Sequence, residues 1–329
     1  MDRRLFVAMV AGSVLVATLG VEGQAPPKGH RIGYLSIGSA SDPRRVAIAD
    51  AFRQAMHDLG YIENKNITIE SRFAEGTYDP LARLAAELIK SRVDVIVAYS
   101  TPAVKAALGA TKTIPIVMTG VVDPVATGLV ASLGRPGGNV TGMSLMAPEI
   151  VGKQMQLLKE LVPKISRVAV LWNPANPSGA PQLREAEVAA RTLTVRLQPL
   201  EARNSSELDK AFAAAAQQRA DAVVCFVDGV FIDKRTHIAH LAEQARLPTV
   251  YGLREHVEAG GLMFYGASPV DQSQRAASFV DKIFKGAKPG DLPVEQPSAF
   301  ELVINLKTAR ALALTVPQSL IVRADALIR

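Results

Sequence analysis

Val93-Asp94-Val95-Ile96-Val97-Ala98-Tyr99-Ser100-Thr101-Pro102-Ala103-Val104-Lys105-Ala106-Ala107-Leu108-Gly109-Ala110 reads as an apolar strand running straight into a helix. The strand, Val93–Tyr99, has the composition of a strand covered on both faces. The helix, Thr101–Ala110, carries Pro102 in its first turn, where a missing N–H costs nothing. Pro115–Gly120 follows as a further apolar strand. Strand, helix and strand in that order are the unit of a parallel sheet.

The same unit repeats in both directions. Upstream lie a strand at Arg31–Ile37, a helix at Pro43–Leu59 stopped by Gly60, a strand at Asn66–Ala74 and a helix at Tyr78–Ser91. Downstream lie helices at Pro148–Leu161, Pro181–Thr192, Ser206–Arg219 and Asp233–Arg246. They alternate with strands at Arg167–Trp172, Val195–Glu201, Asp221–Val227 and Pro248–Gly252. The fold class expected is α/β: two doubly wound Rossmann-like lobes with right-handed crossovers. Two turn-rich stretches, Arg135–Gly142 and Gly260–Gly266, read as passages between lobes. The helix Val270–Gly286, the Pro-rich run Lys288–Ser298 and the pair Phe300–Leu314 are too little for a third domain and must return to the two lobes. One lobe is therefore expected from residues 29–142 with 268–299, the other from 143–267 with 300–329, joined by several strands as a hinge that closes on a ligand.

Composition agrees. The chain has 329 residues, 48% hydrophobic and 21% charged, which excludes a disordered or collagen-like polypeptide. Aromatics are 5%, so the apolar content is mostly Ala, Val, Leu and Ile. The single Cys225 excludes an intramolecular disulfide and any Cys-based metal site, and its place mid-strand predicts a protonated, inert thiol. A net charge of +6 without runs of like charge argues against a nucleic-acid partner. Residues 1–25 read as a signal peptide: Arg3 and Arg4, an uncharged stretch Leu5–Leu19, then small residues before a cleavage site after Ala25. That stretch is short for a membrane span, which needs roughly 20 residues. An uncleaved anchor is the competing reading. No cysteine follows to carry a lipid, so a free, exported, periplasmic or secreted chain is expected.

Several long signatures resemble one family. They are Asp123-Pro124-Val125, Gly128-Leu129-Val130, Ser132-Leu133 and Pro136-Gly137-Gly138-Asn139-Val140-Thr141-Gly142, then Leu292-Pro293-Val294-Glu295-Gln296-Pro297, Phe300-Glu301-Leu302-Val303-Ile304-Asn305-Leu306-Lys307-Thr308-Ala309 and Arg323-Ala324-Asp325. Together they resemble the ABC-transporter substrate-binding proteins of the tryptophan/tyrosine-binding type, over nearly all of residues 31–329. The resemblance implies a type I periplasmic-binding-protein fold with a three-strand hinge. It implies an aromatic or other hydrophobic amino acid, or a small carboxylate, held between the lobes. It also implies delivery to an ABC permease without chemistry on the ligand, no cofactor, and a monomer. The chain departs from the family at Ser100-Thr101, where members often carry Gly-Thr.

Open α/β sheets bind ligands beyond the carboxyl ends of their strands, which selects loops independently of any family. In the first lobe these hold Ser36, Ser39, Ser100, Thr101 and Asp123; in the second, Asn173, Asp228 and Tyr251, with Tyr265 near a strand end. Ser100-Thr101-Pro102 is either a plain helix cap or an anion site at a helix N-terminus. Asp123 either caps a short helix over Pro124–Leu133 or receives a ligand ammonium. Asp228 is a turn residue before Gly229 or a second ammonium acceptor on the facing lobe. Asn173 shapes the Asn173–Pro177 turn or bonds the ligand. Tyr99, Trp172, Phe226, Tyr251 and Tyr265 either cover an apolar ligand or pack internally.

Catalytic signatures are missing. The chain has no G-x-S-x-G, G-x-G-x-x-G or G-x-x-x-x-G-K-[ST] run. His237, His240 and Glu243 share a helix, but i and i+6 diverge, so a solvated face is expected rather than a metal site. A secreted enzyme with an unfamiliar constellation and a periplasmic sensor subunit are the alternatives. A repressor effector pair fails, because only the N-terminal segment precedes Arg31.

Overall fold

The computed structural model describes residues 29–146 and 149–329. The signal peptide expected over residues 1–25 lies outside them, as does Pro148.

The first lobe begins β1 (His30–Ser36), α1 (Pro43–Asp58), β2 (Ile67–Phe73), α2 (Leu81–Lys90), β3 (Val95–Tyr99), α3 (Thr101–Ala110), β4 (Ile116–Val122), β5 (Val140–Met146). The five strands form one parallel sheet, ordered β2-β1-β3-β4-β5. The second lobe continues α4 (Glu149–Leu161), β6 (Arg167–Trp172), α5 (Gly179–Leu193), β7 (Arg196–Glu201), α6 (Ser205–Gln217), β8 (Ala222–Cys225), α7 (Gly229–Asp233), α8 (Arg235–Gln244), β9 (Thr249–Tyr251), α9 (Arg254–Glu258), β10 (Met263–Gly266). Helix α10 (Pro269–Phe284) and a 3₁₀ turn (Pro289–Asp291) return to the first lobe, α10 packing on α1. Then β11 (Glu301–Asn305), α11 (Leu306–Ala311), α12 (Gln318–Arg323) and β12 (Ala326–Ile328) complete the second sheet, ordered β12-β11-β10-β9-β8-β6-β7. The expected α/β architecture with two doubly wound lobes is what the chain forms.

The order β7-β6-β8-β9-β10 repeats the order β2-β1-β3-β4-β5. Each lobe therefore has its topological switch point at its first and third strands, where such sheets place ligands. Only β11 runs antiparallel to its neighbour β10. The reason is directional: β10 leaves the second sheet toward the first lobe, and β11 enters from there.

The chain passes between lobes three times: after β5, between β10 and α10, and between Glu295 and β11. Two expectations change. Arg135–Gly142 is not a passage, because Asn139 donates from Nδ2 to the carbonyls of Thr111 (3.3 Å) and Ile114 (2.8 Å), fixing the turn to the first sheet. β5 then pairs with β4, so the boundary expected after Gly142 falls inside a strand. Gly260–Gly266 likewise leads into β10 of the second sheet, and the passage follows it.

The central strands of each sheet are buried on both faces, which is why strands such as β3, β4 and β8 are apolar, while the edge strands β2 and β7 carry polar, partly exposed residues. In the first lobe Leu81, Leu84, Ala85 and Leu88 of α2 pack on one face, at the i, i+3, i+4, i+7 spacing of a helix stripe. Phe52 and Met56 of α1, with Phe279 and Val280 of α10, pack on the other. Helix α1 starts cleanly because Asp42 accepts from the Arg44 N–H and Pro43 sits at its first position. Residues 78–80 form a turn rather than the first turn of α2, which leaves Tyr78 outside the helix.

The candidate ligand cleft

The carboxyl ends of the two sheets face each other. Between them lies a cleft of about 380 Å³, including its opening to solvent. From the first lobe it is lined by Ile37, Arg45, Tyr99, Ser100, Thr101, Pro102, Gly120 and Val122. From the second come Asn176, Ser178, Val227, Asp228, Gly229 and Leu253.

Ser100 and Thr101 stand where β3 meets α3. Helix α3 has ten residues, and its first-turn N–H groups have no intrahelical acceptor. Ser100 occupies the N-cap, yet its side chain makes no cap bond. Its Oγ is buried with no partner, and its backbone sits at φ +94°. That conformation suits glycine, so Ser100 carries backbone strain that a glycine would avoid. Gly120, at φ +63°, lies opposite; a Cβ there would stand 2.9 Å from the Tyr99 ring.

Asp228 N-caps α7 and is 3% exposed. Its Oδ1 accepts from the N–H of Val230 (2.8 Å) and of Phe231 (3.4 Å), and from Asn173 Nδ2 (3.4 Å). Its Oδ2 accepts from Asn176 Nδ2 (2.9 Å) and from the Tyr78 hydroxyl of the opposite lobe (2.5 Å). Burial, then the carboxylate itself, holds the Tyr78 phenol protonated far above its ordinary range. Asn173 accepts from the Ala175 N–H at 2.9 Å, so it both shapes its turn and braces Asp228.

Ser100, Thr101 and Asp228 thus meet in the cleft, with Asn173 behind Asp228. The other expected residues lie elsewhere. Ser36 is buried and accepts from the Gly38 N–H. Ser39 bonds Ser41. Asp123, at φ +41°, accepts from the Ala126 N–H at 2.9 Å and closes a turn; Pro124–Leu133 forms turns and bends rather than a helix. Tyr251 is fully buried, stacked on His256 at 4.7 Å. Tyr265 stacks on Phe300 at 5.9 Å beside the interlobe passages. His237 pairs with Asp209 at 2.9 Å, and among the described residues no group of His, Cys, Asp and Glu could hold a metal ion. Cys225 ends β8 rather than lying mid-strand, but it is buried, and burial pushes its thiol up.

Sequence reading missed Arg45, Tyr78 and Asn176. Arg45 had one available signal: Arg44-Arg45 opens a helix, where positive charge opposes the dipole. Its guanidinium lies 4.9 Å from the centroid of the Tyr99 ring. Burial works against its charge, but Tyr99 and Glu255 outweigh burial and hold it above its ordinary range.

Further contacts join the lobes. Arg235 Nη1 lies 3.2 Å from Asp42 Oδ2, and Arg44 pairs with Glu258. A Cβ on Gly229 would stand 2.6 Å from Ile37 Cδ1, so only glycine lets α7 approach the first lobe this closely.

The profile of a family described as "ABC transporter substrate binding protein" matches residues 37–328. The chain belongs to this family. The substrate-binding protein is 29% identical over 261 residues to the "Tyrosine-binding protein" of Clostridioides difficile (strain R20291), covering 79% of this chain and 75% of the relative. It is also similar to the solved ABC domain from Streptococcus pneumoniae in complex with L-Trp: 26% identity, 91% and 100% coverage, TM-score 0.85. Against the ligand-free, open structure of a Clostridium difficile substrate-binding protein with adhesive properties, identity is 25%, coverage 91% and 99%, and TM-score 0.67. The fold of this substrate-binding protein is that of the type I periplasmic binding proteins. No described helix is long and apolar enough to cross a membrane.

Proposed function

We propose that this protein captures an aromatic or other hydrophobic amino acid between its lobes and delivers it, chemically unchanged, to an ABC permease. The observation that carries this reading is the cleft itself: a helix N-terminus with an unpartnered Ser100 hydroxyl on one lobe, closed over by Asp228, Asn176 and apolar side chains of the other. The acidic end of the ligand faces α3, as anions do at helix N-termini. Its side chain faces Ile37, Val122, Val227 and Leu253. The relatives that bind tyrosine and tryptophan support the ligand class. The segment 1–25 serves as an export signal, and the protein works as a monomer in the periplasm. Closure follows from tighter binding to the closed arrangement than to the open one.

Thermal melting of the purified protein against amino acids and small carboxylates tests this. A hydrophobic amino acid should raise the melting temperature and shrink the scattering radius. No solute that does either would overturn the reading.

A further inference from the structure

Arg45 is 6% exposed, yet among the described residues no carboxylate lies within 4.0 Å of it. A buried charge with no carboxylate in contact must be held in place by the surrounding structure. Two neighbours do so. Its stem passes over Gly38, where a Cβ would stand 2.7 Å from the Cγ, Cδ and Nε of Arg45. Its guanidinium lies over the face of Tyr99. The side chain is thus clamped on both sides with its charge lining the cleft.

The same cleft holds the N-terminus of α3 and the buried, unpartnered Ser100 Oγ. Two positive features and a hydroxyl converge, and Glu255 supports the charge of Arg45 only from beyond ion-pair distance. A guanidinium fork and backbone N–H groups match a planar anion with two oxygens. Asp228, the one acidic side chain lining the cleft, already accepts from five donors, so it offers an ammonium little.

We propose that Arg45 anchors the carboxylate of the ligand, and that the cleft selects apolar carboxylates by that group and not by an ammonium. This deepens the solute-capture reading and rests on it. Arg45 acts with the first turn of α3 and with Ser100. The α-ammonium of an amino acid adds little affinity.

The test is calorimetric titration of the full chain with three probes of one skeleton: L-tyrosine, 3-(4-hydroxyphenyl)propionate, which lacks the ammonium, and tyramine, which lacks the carboxylate. The corresponding tryptophan series runs alongside. Expected are binding of the acid within about tenfold of the amino acid, no binding of the amine, and a loss of about ten- to hundredfold for both acids in Arg45→Gln, the range of a charge-assisted hydrogen bond. Arg45→Met, which keeps the stem over Gly38, should show the same loss. Arg45→Met keeps the stem over Gly38, so the ligand-free variant should melt cooperatively as a folded protein while its affinity for both acids falls. Amine binding equal to the amino acid, or unchanged acid affinity in either folded variant, overturns the proposal. If only neutral solutes such as sugars bind, the carboxylate assignment falls and solute capture stands; if no solute binds, both fall.

Discussion

The hydroxyl of Tyr78 in one lobe donates to Asp228 Oδ2 in the other, 2.5 Å away, and ties the two sheets together across the cleft. Tyr78 reaches that far because it lies in the turn before α2 and not in the helix. Asp228 can receive it because Asn173, Asn176 and the first turn of α7 hold the carboxylate still. The bond therefore acts as a latch between the two lobes. Tyr78→Phe should leave folding nearly intact, since Asp228 keeps four donors. It should weaken closure by about 1–2 kcal/mol. Small-angle scattering of the ligand-free protein should show a larger radius for the variant; an unchanged radius and unchanged solute affinity would remove the latch.

Asp228→Ala should behave differently. It removes the α7 cap and strands the buried Asn173 and Asn176 amides and the Tyr78 hydroxyl. The expected loss of stability is about 2–4 kcal/mol, combining a cap with unsatisfied buried donors. Asp228→Asn keeps the capping oxygen and should lose less. Urea unfolding midpoints of the two variants decide this, equal midpoints being the contrary result.

Ser100 combines a strained backbone with an unpartnered hydroxyl. Ser100→Gly should stabilise the ligand-free protein by about 1–3 kcal/mol, the cost of such a conformation for a residue with a Cβ. It should weaken solute binding through loss of the hydroxyl. A variant that is no more stable, or that binds as tightly as wild type, contradicts one half of this expectation or the other.

His256 gives the pH dependence. Burial holds its pKa down at about 3, against 6.5 for a free histidine. In the folded protein the ring stays neutral, while the unfolded chain takes up a proton below pH 6.5. Stability is therefore full above about pH 6.5 and falls as pH drops toward 3. By pH 5 the loss from this residue is about 2 kcal/mol. His256→Phe, which keeps a ring against Tyr251, should have a flatter profile between pH 7 and 5 in urea unfolding. Superimposable profiles would contradict the assignment.

The sequence made the architecture legible because the central strands of each sheet are covered on both faces, so strands such as Val95–Tyr99 stand out as uninterrupted apolar runs. The strand-end rule also pointed to Ser100, Thr101 and Asp228, which line the cleft. It misplaced Tyr251 and Tyr265, whose rings pack internally against His256 and Phe300 although their backbones lie near strand ends. It misread Asp123, a local cap in a left-handed conformation. It passed over Arg45 and Tyr78 because neither belongs to a strand end; they enter the cleft from the start of a helix and from a turn. Their partners, Tyr99 and Asp228, are distant in sequence, and only the assembled lobes bring them together.

The central claim is that the cleft holds an apolar amino acid unchanged. Native mass spectrometry of the protein mixed with an equimolar pool of the common amino acids tests it most directly. The expected result is a single 1:1 adduct with the mass of an aromatic or other hydrophobic amino acid, released intact on denaturation. No adduct, an adduct only with polar or charged amino acids, or release of an altered compound would contradict it.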